Sequence, residues 1–307
     1  MECDDSALSA RCFSLEREIF EMLALANPRF IPTLLLVAQR IKFWTGPLLY
    51  RNLSIVGSDS EFEEAGAAIR IRCRDFIKLV KRKSASFFHD HVRRLALSYV
   101  DSDSTITILS NCSGVAHLAM FAMYPDPSYL PLIAAMPLLE ISANIEGLFE
   151  HLNPDHPVFS PNIWVDFHHP LFRGLSHLDI FEVPVSASNE WADALCSLPH
   201  LTHVSFNHGP SLNRIPFRDM LTKCKSLQVL VLIFMGRDQF DMEVTDTAQR
   251  DCFAQDLRLI IVVMDDFLAD WERGATGDET YWLRAEQFIR RRRSGDIEAS
   301  EHILRLE

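Results

Sequence analysis

Among the 307 residues there is no C-x-x-C pair, no glycine-rich phosphate loop, no G-x-S-x-G elbow and no H-E-x-x-H. The first absence removes the common zinc modules and thiol-redox motifs. The others remove the short signatures of nucleotide binding, acyl transfer and zinc hydrolysis. Positive charge is scarce as well: 30 Lys and Arg face 42 Asp and Glu, a net charge of -12. Nonspecific binding to nucleic acid or anionic lipid needs a basic footprint that this balance does not supply, although it leaves room for a local basic patch. No run of 18 apolar residues exists, and the longest stretches, such as Leu227 to Met235, are the size of a strand. The first residues, Met1-Glu2-Cys3-Asp4-Asp5, are acidic and lead into no apolar core at signal-peptide spacing, so the expected location is cytoplasmic or nuclear. The seven cysteines are scattered and odd in number, which predicts small core residues of a reduced protein.

What the chain does have is a recurring apolar phrase. It reads Val92-x-x-Leu95-x-Leu97, Val115-x-x-Leu118-x-Met120 and Leu138-x-x-Ile141-x-Ala143. It resumes as Leu175-x-x-Leu178-x-Ile180, Leu201-x-x-Val204-x-Phe206, Leu227-x-x-Leu230-x-Leu232 and Leu257-x-x-Ile260-x-Val262. The steps are 23, 23, 37, 26, 26 and 30 residues, most of them in or near the leucine-rich-repeat range of one strand plus one helical segment per unit. One such unit cannot bury its own apolar side, so units must stack and lay their strands side by side in parallel. Helix precedes strand: Trp191, Ala194, Leu195 and Leu198 lead into Leu201, and Phe217, Met220, Leu221 and Cys224 lead into Leu227.

The flanks differ from this pattern. Ser14 is a candidate N-cap for a helix carrying Leu15, Ile19, Met22, Leu23 and Ala26, ended by Asn27-Pro28. Pro32 opens a second helix with Leu34, Val37, Ala38 and Ile41 on one side, and Leu53 to Ile55 reads as a first strand. Ile69, Phe76, Ile77 and Val80 predict a helix whose other faces carry Arg70, Arg72, Arg74, Lys78 and Lys81. The long step hides a His- and Pro-rich insertion near 147–174, expected as a surface loop. Leu257 to Met264 reads as a strand buried on both faces, and Trp282, Ala285, Phe288 and Ile289 as one side of a capping helix near 280–293. Its last turn, Arg290 to Arg293, suits the helix dipole and is also similar to a nuclear-localisation cluster.

In this order the segments resemble the F-box-like proteins with degenerate leucine-rich repeats abundant in mushroom-forming fungi. The likeness spans nearly the whole chain. It is carried by Leu15-Glu-Arg-Glu-Ile-Phe20, Val37-Ala-Gln-Arg-Ile-Lys-Phe-Trp44, Pro47-Leu-Leu-Tyr-Arg51, the repeats, and the tail Trp282-Leu-Arg-Ala-Glu-Gln-Phe-Ile289. The resemblance implies a substrate receptor of a Skp–cullin–F-box ubiquitin ligase. Its helical module at 1–56 would dock on the Skp-type adaptor through Leu15, Ile19, Phe20, Val37 and Trp44. An F-box usually opens with Leu-Pro, and here that place reads Arg11-Cys12, which removes an apolar contact and adds a desolvation cost.

The predicted architecture is therefore α/β: a leucine-rich-repeat-like solenoid with parallel strands over 57–307, preceded by the small F-box-like helical module. Strand alternation then places Arg94, His117, Glu140, His177, Asp179, His203 and Ser205 on an open concave side, the candidate partner-binding surface. Val229, Val231, Leu259 and Ile261 continue it as an apolar patch under the C-terminal helix. His200-x-x-His203 and His168-His169 lack a carboxylate or thiolate at ligand spacing, so no metal and no cofactor is expected. The expected function is non-enzymatic: a recognition adaptor presenting an unknown protein to the ligase. The alternatives are a repeat scaffold acting without a ligase and, more distantly, a hydrolase built on Asp265 and Asp266 at the end of the buried strand.

Overall fold

A computed structural model describes residues 5–57, 69–123, 125–149, 165–181, 189–207, 217–238, 240, 256–275 and 279–306. It begins with helices α1 (Asp5–Ala26), α2 (Ile31–Leu34) and α3 (Gln39–Thr45), then a 3-10 turn at Gly46–Tyr50. Asn27-Pro28 ends α1 as the sequence predicts, but the helix starts at Asp5, so Ser14 lies inside it instead of capping it. The single second helix expected from Pro32 is broken at Ala38, whose φ of -161° and ψ of 156° are those of a strand. That break separates Val37 from the core while Leu34 and Ile41 stay buried beside Ala24 and Ile31.

Ten strands follow: β1 (Asn52–Val56), β2 (Ile69–Arg72), β3 (Arg94–Ser98), β4 (His117–Phe121), β5 (Glu140–Ala143), β6 (His177–Phe181), β7 (His203–Asn207), β8 (Val229–Met235), β9 (Leu259–Met264) and β10 (Ile303–Arg305). They form one sheet in the order β10-β9-β8-β7-β6-β5-β4-β3-β1-β2, every pair parallel. The second apolar residue of each phrase stands beside the next: Leu95, Leu118, Ile141, Leu178, Val204 and Leu230 run across the sheet in register. Helices α4 (Cys73–Val80), α5 (Ala85–His91), α6 (Ser102–Asn111), α7 (Leu130–Ala134), α8 (Ile145–Phe149), α9 (Asn189–Cys196) and α10 (Phe217–Lys223) cover that ladder from one side. Phe76, Phe88, Ile108, Ile133 and Met220 are fully buried there. At roughly 1.5–3 kcal/mol for each buried large apolar side chain, this shared layer is the main stabilising term.

Five further expectations need correction. Residues 69–72 are an edge strand, because Ile69-Arg70-Ile71-Arg72 alternates with period two and pairs with β1; the helix begins only at Cys73. In β9 the register is one residue from the expected one: Leu230 faces Leu259, so Leu259 and Ile261 lie in the core and Ile260 and Val262 on the other side. Six consecutive buried apolar positions carry no period, so only pairing with β8 decides their facing. The second half of the His- and Pro-rich insertion is no free loop, since Val165, Phe167, Leu171 and Phe172 are buried and Pro170–Phe172 is a 3-10 turn; 150–164, with His151 and His156, lies outside the described residues. Cys224 is a buried residue as predicted, yet it is disulfide-bonded to Cys196, at the ends of α10 and α9 with Cα atoms 4.6 Å apart. Cys73 and Cys112 are free and buried.

The fifth correction concerns the sheet's other face. After β9 the chain crosses to that side as α11 (Phe267–Ala275) and α12 (Tyr281–Ser294) before adding β10 at the edge. Phe267 stacks on Phe121 of β4 and meets Phe181 of β6, Trp271 lies under Arg94 of β3, and Glu272 binds Arg70 of β2. Trp282, Ala285 and Ile289 cover Val229, Val231, Ile260 and Val262. Helices of nine and fourteen residues are about 13 and 21 Å long, enough to traverse most of the sheet. The apolar end of the face is covered as expected, and so is much of the polar end, which was expected to be open.

Candidate functional site

The residues predicted for the open side form a row across the strands, and the structure brings them together. Glu140 accepts a 2.7 Å bond from His117 Nδ1 and lies 3.9 Å from an Arg94 nitrogen. His177 and His203 stack at 4.1 Å, nearly parallel, and both rings meet the Trp282 edge at 5.4 Å. His203 bonds Glu286 of α12 through Nε2 at 3.0 Å and Thr202 through Nδ1 at 2.8 Å. One step along the strands, the Asp179 carboxylate accepts bonds from the hydroxyls of Ser142, Ser205 and Tyr281. Asp179, Ser142 and Ser205 are fully buried, and Glu140 and His203 nearly so.

Burial sets the charges. Burial pushes Asp179 up to about 7, the nearby Glu140 charge adding to it and the three hydroxyl donors only partly opposing it. His203 is lowered to about 4 by burial and by His177, with Glu286 pulling the other way. His177 is lowered too, chiefly by burial. Burial also raises Glu140, but the His117 bond and the Arg94 and histidine charges outweigh it and hold the group at about 2. The row is thus an internal seam of carboxyl groups and hydrogen-bonded rings, matched by Glu286, Tyr281 and Trp282 from the cap. Of the seven predicted partner-binding residues, only Arg94, His117 and His177 keep partial exposure; Glu140, Asp179, His203 and Ser205 are closed off by α11 and α12.

The opposite situation holds in the N-terminal helices. Among the described residues, nine of the twelve large apolar side chains that are exposed lie between Leu15 and Phe43. Leu15, Ile19 and Met22 share one side of α1 at the i, i+4, i+7 spacing and are 58%, 51% and 66% exposed. Leu36 and Phe43 stand out at 86% and 80%. Of the predicted adaptor contacts, Leu15, Ile19 and Val37 belong to this exposed face, whereas Phe20 and Trp44 pack partly into the module's own core. Sequence reasoning missed Leu36 and Phe43, whose exposure follows from the break at Ala38. The Arg11 and Cys12 side chains lie outside the described residues, though their backbone is helical.

The remaining candidates serve the fold. Asp266 accepts from the Ala269 amide at 3.0 Å and so caps α11, with Asp265 exposed beside it. Asp270 of α11 is buried and receives the Tyr281 amide at 2.9 Å. His169 accepts the Leu171 amide, and no group of three His, Cys, Asp or Glu among the described residues is placed to hold a metal. The arginine cluster is split: Arg292 turns inward to the carbonyls of Leu257, Leu259 and Ala299, while Arg290, Arg291 and Arg293 stay exposed. No helix among the described residues is long and apolar enough to cross a membrane. Comparison with known protein families, curated proteins and solved structures finds no match to this chain.

Proposed function

We propose that the chain is a non-enzymatic recognition adaptor that docks through its N-terminal helical module and presents another protein on the remainder. The observation that carries this reading is the concentration of exposed apolar side chains between Leu15 and Phe43 on an otherwise well-buried molecule. Large apolar side chains left exposed in such number within one small module mark an interaction site. The F-box-like resemblance names the partner: a Skp-type adaptor subunit of a ubiquitin ligase, gripped by Leu15, Ile19 and Val37 with Leu36 and Phe43. Parallel strands that follow sequence order from β3 to β10, backed by helices, support a leucine-rich-repeat-like solenoid as the presenting part.

A pull-down with a Skp-type adaptor tests this. Wild type is expected to be retained, and Leu15→Asp with Ile19→Asp to be lost while melting at an unchanged temperature. The second reading, a scaffold that works without a ligase, is favoured by the helical backbone that continues through Arg11-Cys12, where an F-box has its Leu-Pro. Failure of wild type to bind any Skp-type subunit would leave that scaffold reading in place.

A further inference from the structure

A recess of about 850 Å³ lies where the helical module meets the first strand–helix units. One wall is α1, α3 and the 3-10 turn at Gly46–Tyr50; the other is Lys83, in the turn between α4 and α5, with Phe87 and His91 of α5. Its floor is aromatic: Trp44, Tyr50 and Phe87 line it, and the Tyr50 and Phe87 rings meet edge-to-face at 5.1 Å. Its rim is cationic. Lys42, Arg51 and Lys83 line the recess, and among the described residues none of the three forms an ion pair with a carboxylate. Lys83 is held over the Phe87 ring at 3.7 Å and the Tyr50 ring at 5.1 Å. The one carboxylate present, Glu21, is taken up by Arg17 at 2.7 Å. The recess therefore has a sign opposite to that of the whole chain, which carries -12.

We infer that this recess binds an acidic segment of a partner protein, one that also carries an aliphatic or aromatic anchor. Carboxylates of the segment pair with Lys42, Arg51 and Lys83, and its anchor lies on Trp44, Tyr50 and Phe87. Both terms are needed: exposed ion pairs alone contribute little, whereas an apolar side chain on an aromatic floor excludes water from them. The volume lies within the range of pre-formed ligand sites. A long polyanion such as nucleic acid fits less well, because the field of the rest of the chain repels it. The recess adjoins the docking face at Phe43, which lines both, but opens to another side of α1: Arg17, Glu21 and Leu25 point to it, centred more than about 100° around the helix from Leu15, Ile19 and Met22. With most of the polar sheet face closed by α11 and α12, this site gives the presenting function a surface that is open.

The test is fluorescence anisotropy of labelled peptides with the full chain. A peptide of alternating glutamate and leucine is expected to bind; a lysine–leucine peptide, and a glutamate–serine peptide lacking the anchor, are each expected to bind at least about tenfold more weakly, a difference of about 1.4 kcal/mol. Arg51→Glu with Lys83→Glu is expected to abolish binding, and added salt to weaken it. Arg290→Glu with Arg293→Glu, an equal charge change on exposed residues of α12, is expected to leave it intact. If the reversal pair fails to fold, Arg51→Leu with Lys83→Met carries the test, since both keep the aliphatic stems. Equal binding of acidic and basic peptides, or indifference to the recess variants, overturns the inference. So does binding to phosphatidylserine vesicles in place of the acidic peptide. No adaptor subunit is present in this measurement, so its failure leaves the docking reading standing, and the reverse also holds.

Discussion

The two ends of the chain both form amphipathic helices, with opposite results. At the C-terminal end, α11 and α12 turn Phe267, Trp271, Tyr281, Trp282 and Ile289 onto the sheet, and their polar atoms complete the seam of Glu140, Asp179 and His203. At the N-terminal end, α1 to α3 close a small core around Ala24, Ile31, Leu34 and Ile41 and leave Leu15, Ile19, Met22, Leu36 and Phe43 in solvent. Apolar content does not distinguish the two ends. The difference is whether the chain itself supplies a complementary surface, and where it does not, a second molecule can.

The sharpest way to break the contrast is to truncate one side chain of the cap. Trp282→Ala removes a buried ring from the cap and is expected to cost about 3–5 kcal/mol, read as a shift of the urea midpoint. Its effect should include opening of the seam, visible as faster hydrogen exchange of β6 and β7 amides.

The seam makes the cap sensitive to pH in two opposing directions. Asp179 has a folded value of about 7 against an ordinary 3.8, so its penalty grows as pH rises from about 4 and is complete above 7, about 4 kcal/mol. His203 has a folded value of about 4 against an ordinary 6.5, so its penalty grows as pH falls below about 6.5 and is complete below 4, about 3 kcal/mol. The two oppose each other in wild type between pH 4 and 7. Asp179→Asn is expected to unmask the histidine, giving stability that falls on acidification. His203→Gln is expected to unmask the aspartate, giving stability that falls as pH rises. Urea midpoints across that range check both, and parallel profiles for the two variants would refute the assignment.

Reducing the Cys196–Cys224 bond opens a loop across a sequence separation of 28 and is expected to cost about 3.5 kcal/mol in the chain-entropy account. Comparing Cys224→Ser with wild type, with and without reductant, checks it. The helical module, far upstream of Cys196 and without a disulfide among the described residues, should melt unchanged. The smallest effect belongs to the exposed face: Leu36→Ser with Phe43→Ser is expected to move stability by no more than about 0.5 kcal/mol while lowering binding of an apolar dye. A large loss there would mean that this face is internal, and the contrast between the ends would fall.

Much of the sheet was legible. The phrases at Leu95, Leu118, Ile141, Leu178, Val204 and Leu230 announce strands because a half-buried strand repeats with period two and each step repeats a unit. Where the pattern was weaker it misled. β2 and β10 are only four and three residues long, too short for a period to register. Tyr281 lies one residue before the apolar stripe of Trp282, Ala285 and Ile289, and nothing local shows that its hydroxyl reaches a carboxylate over a hundred residues away in sequence. The docking face was half legible: Leu15 and Ile19 follow from helical spacing, whereas Leu36 and Phe43 depend on a backbone break at Ala38.

The sequence alone determined which residues are greasy, at what interval they recur, and so that strands must lie side by side in parallel behind a layer of helices. Only the tertiary structure decided which side of β9 faces that layer and that the chain returns across the far side to seal Asp179 and His203. The same folded arrangement leaves three cations around an aromatic recess. Local periodicity is a property of neighbours along the chain. Facing, closure and the sign of a cavity depend on which distant segments meet, and that is settled by competition among all available burials at once.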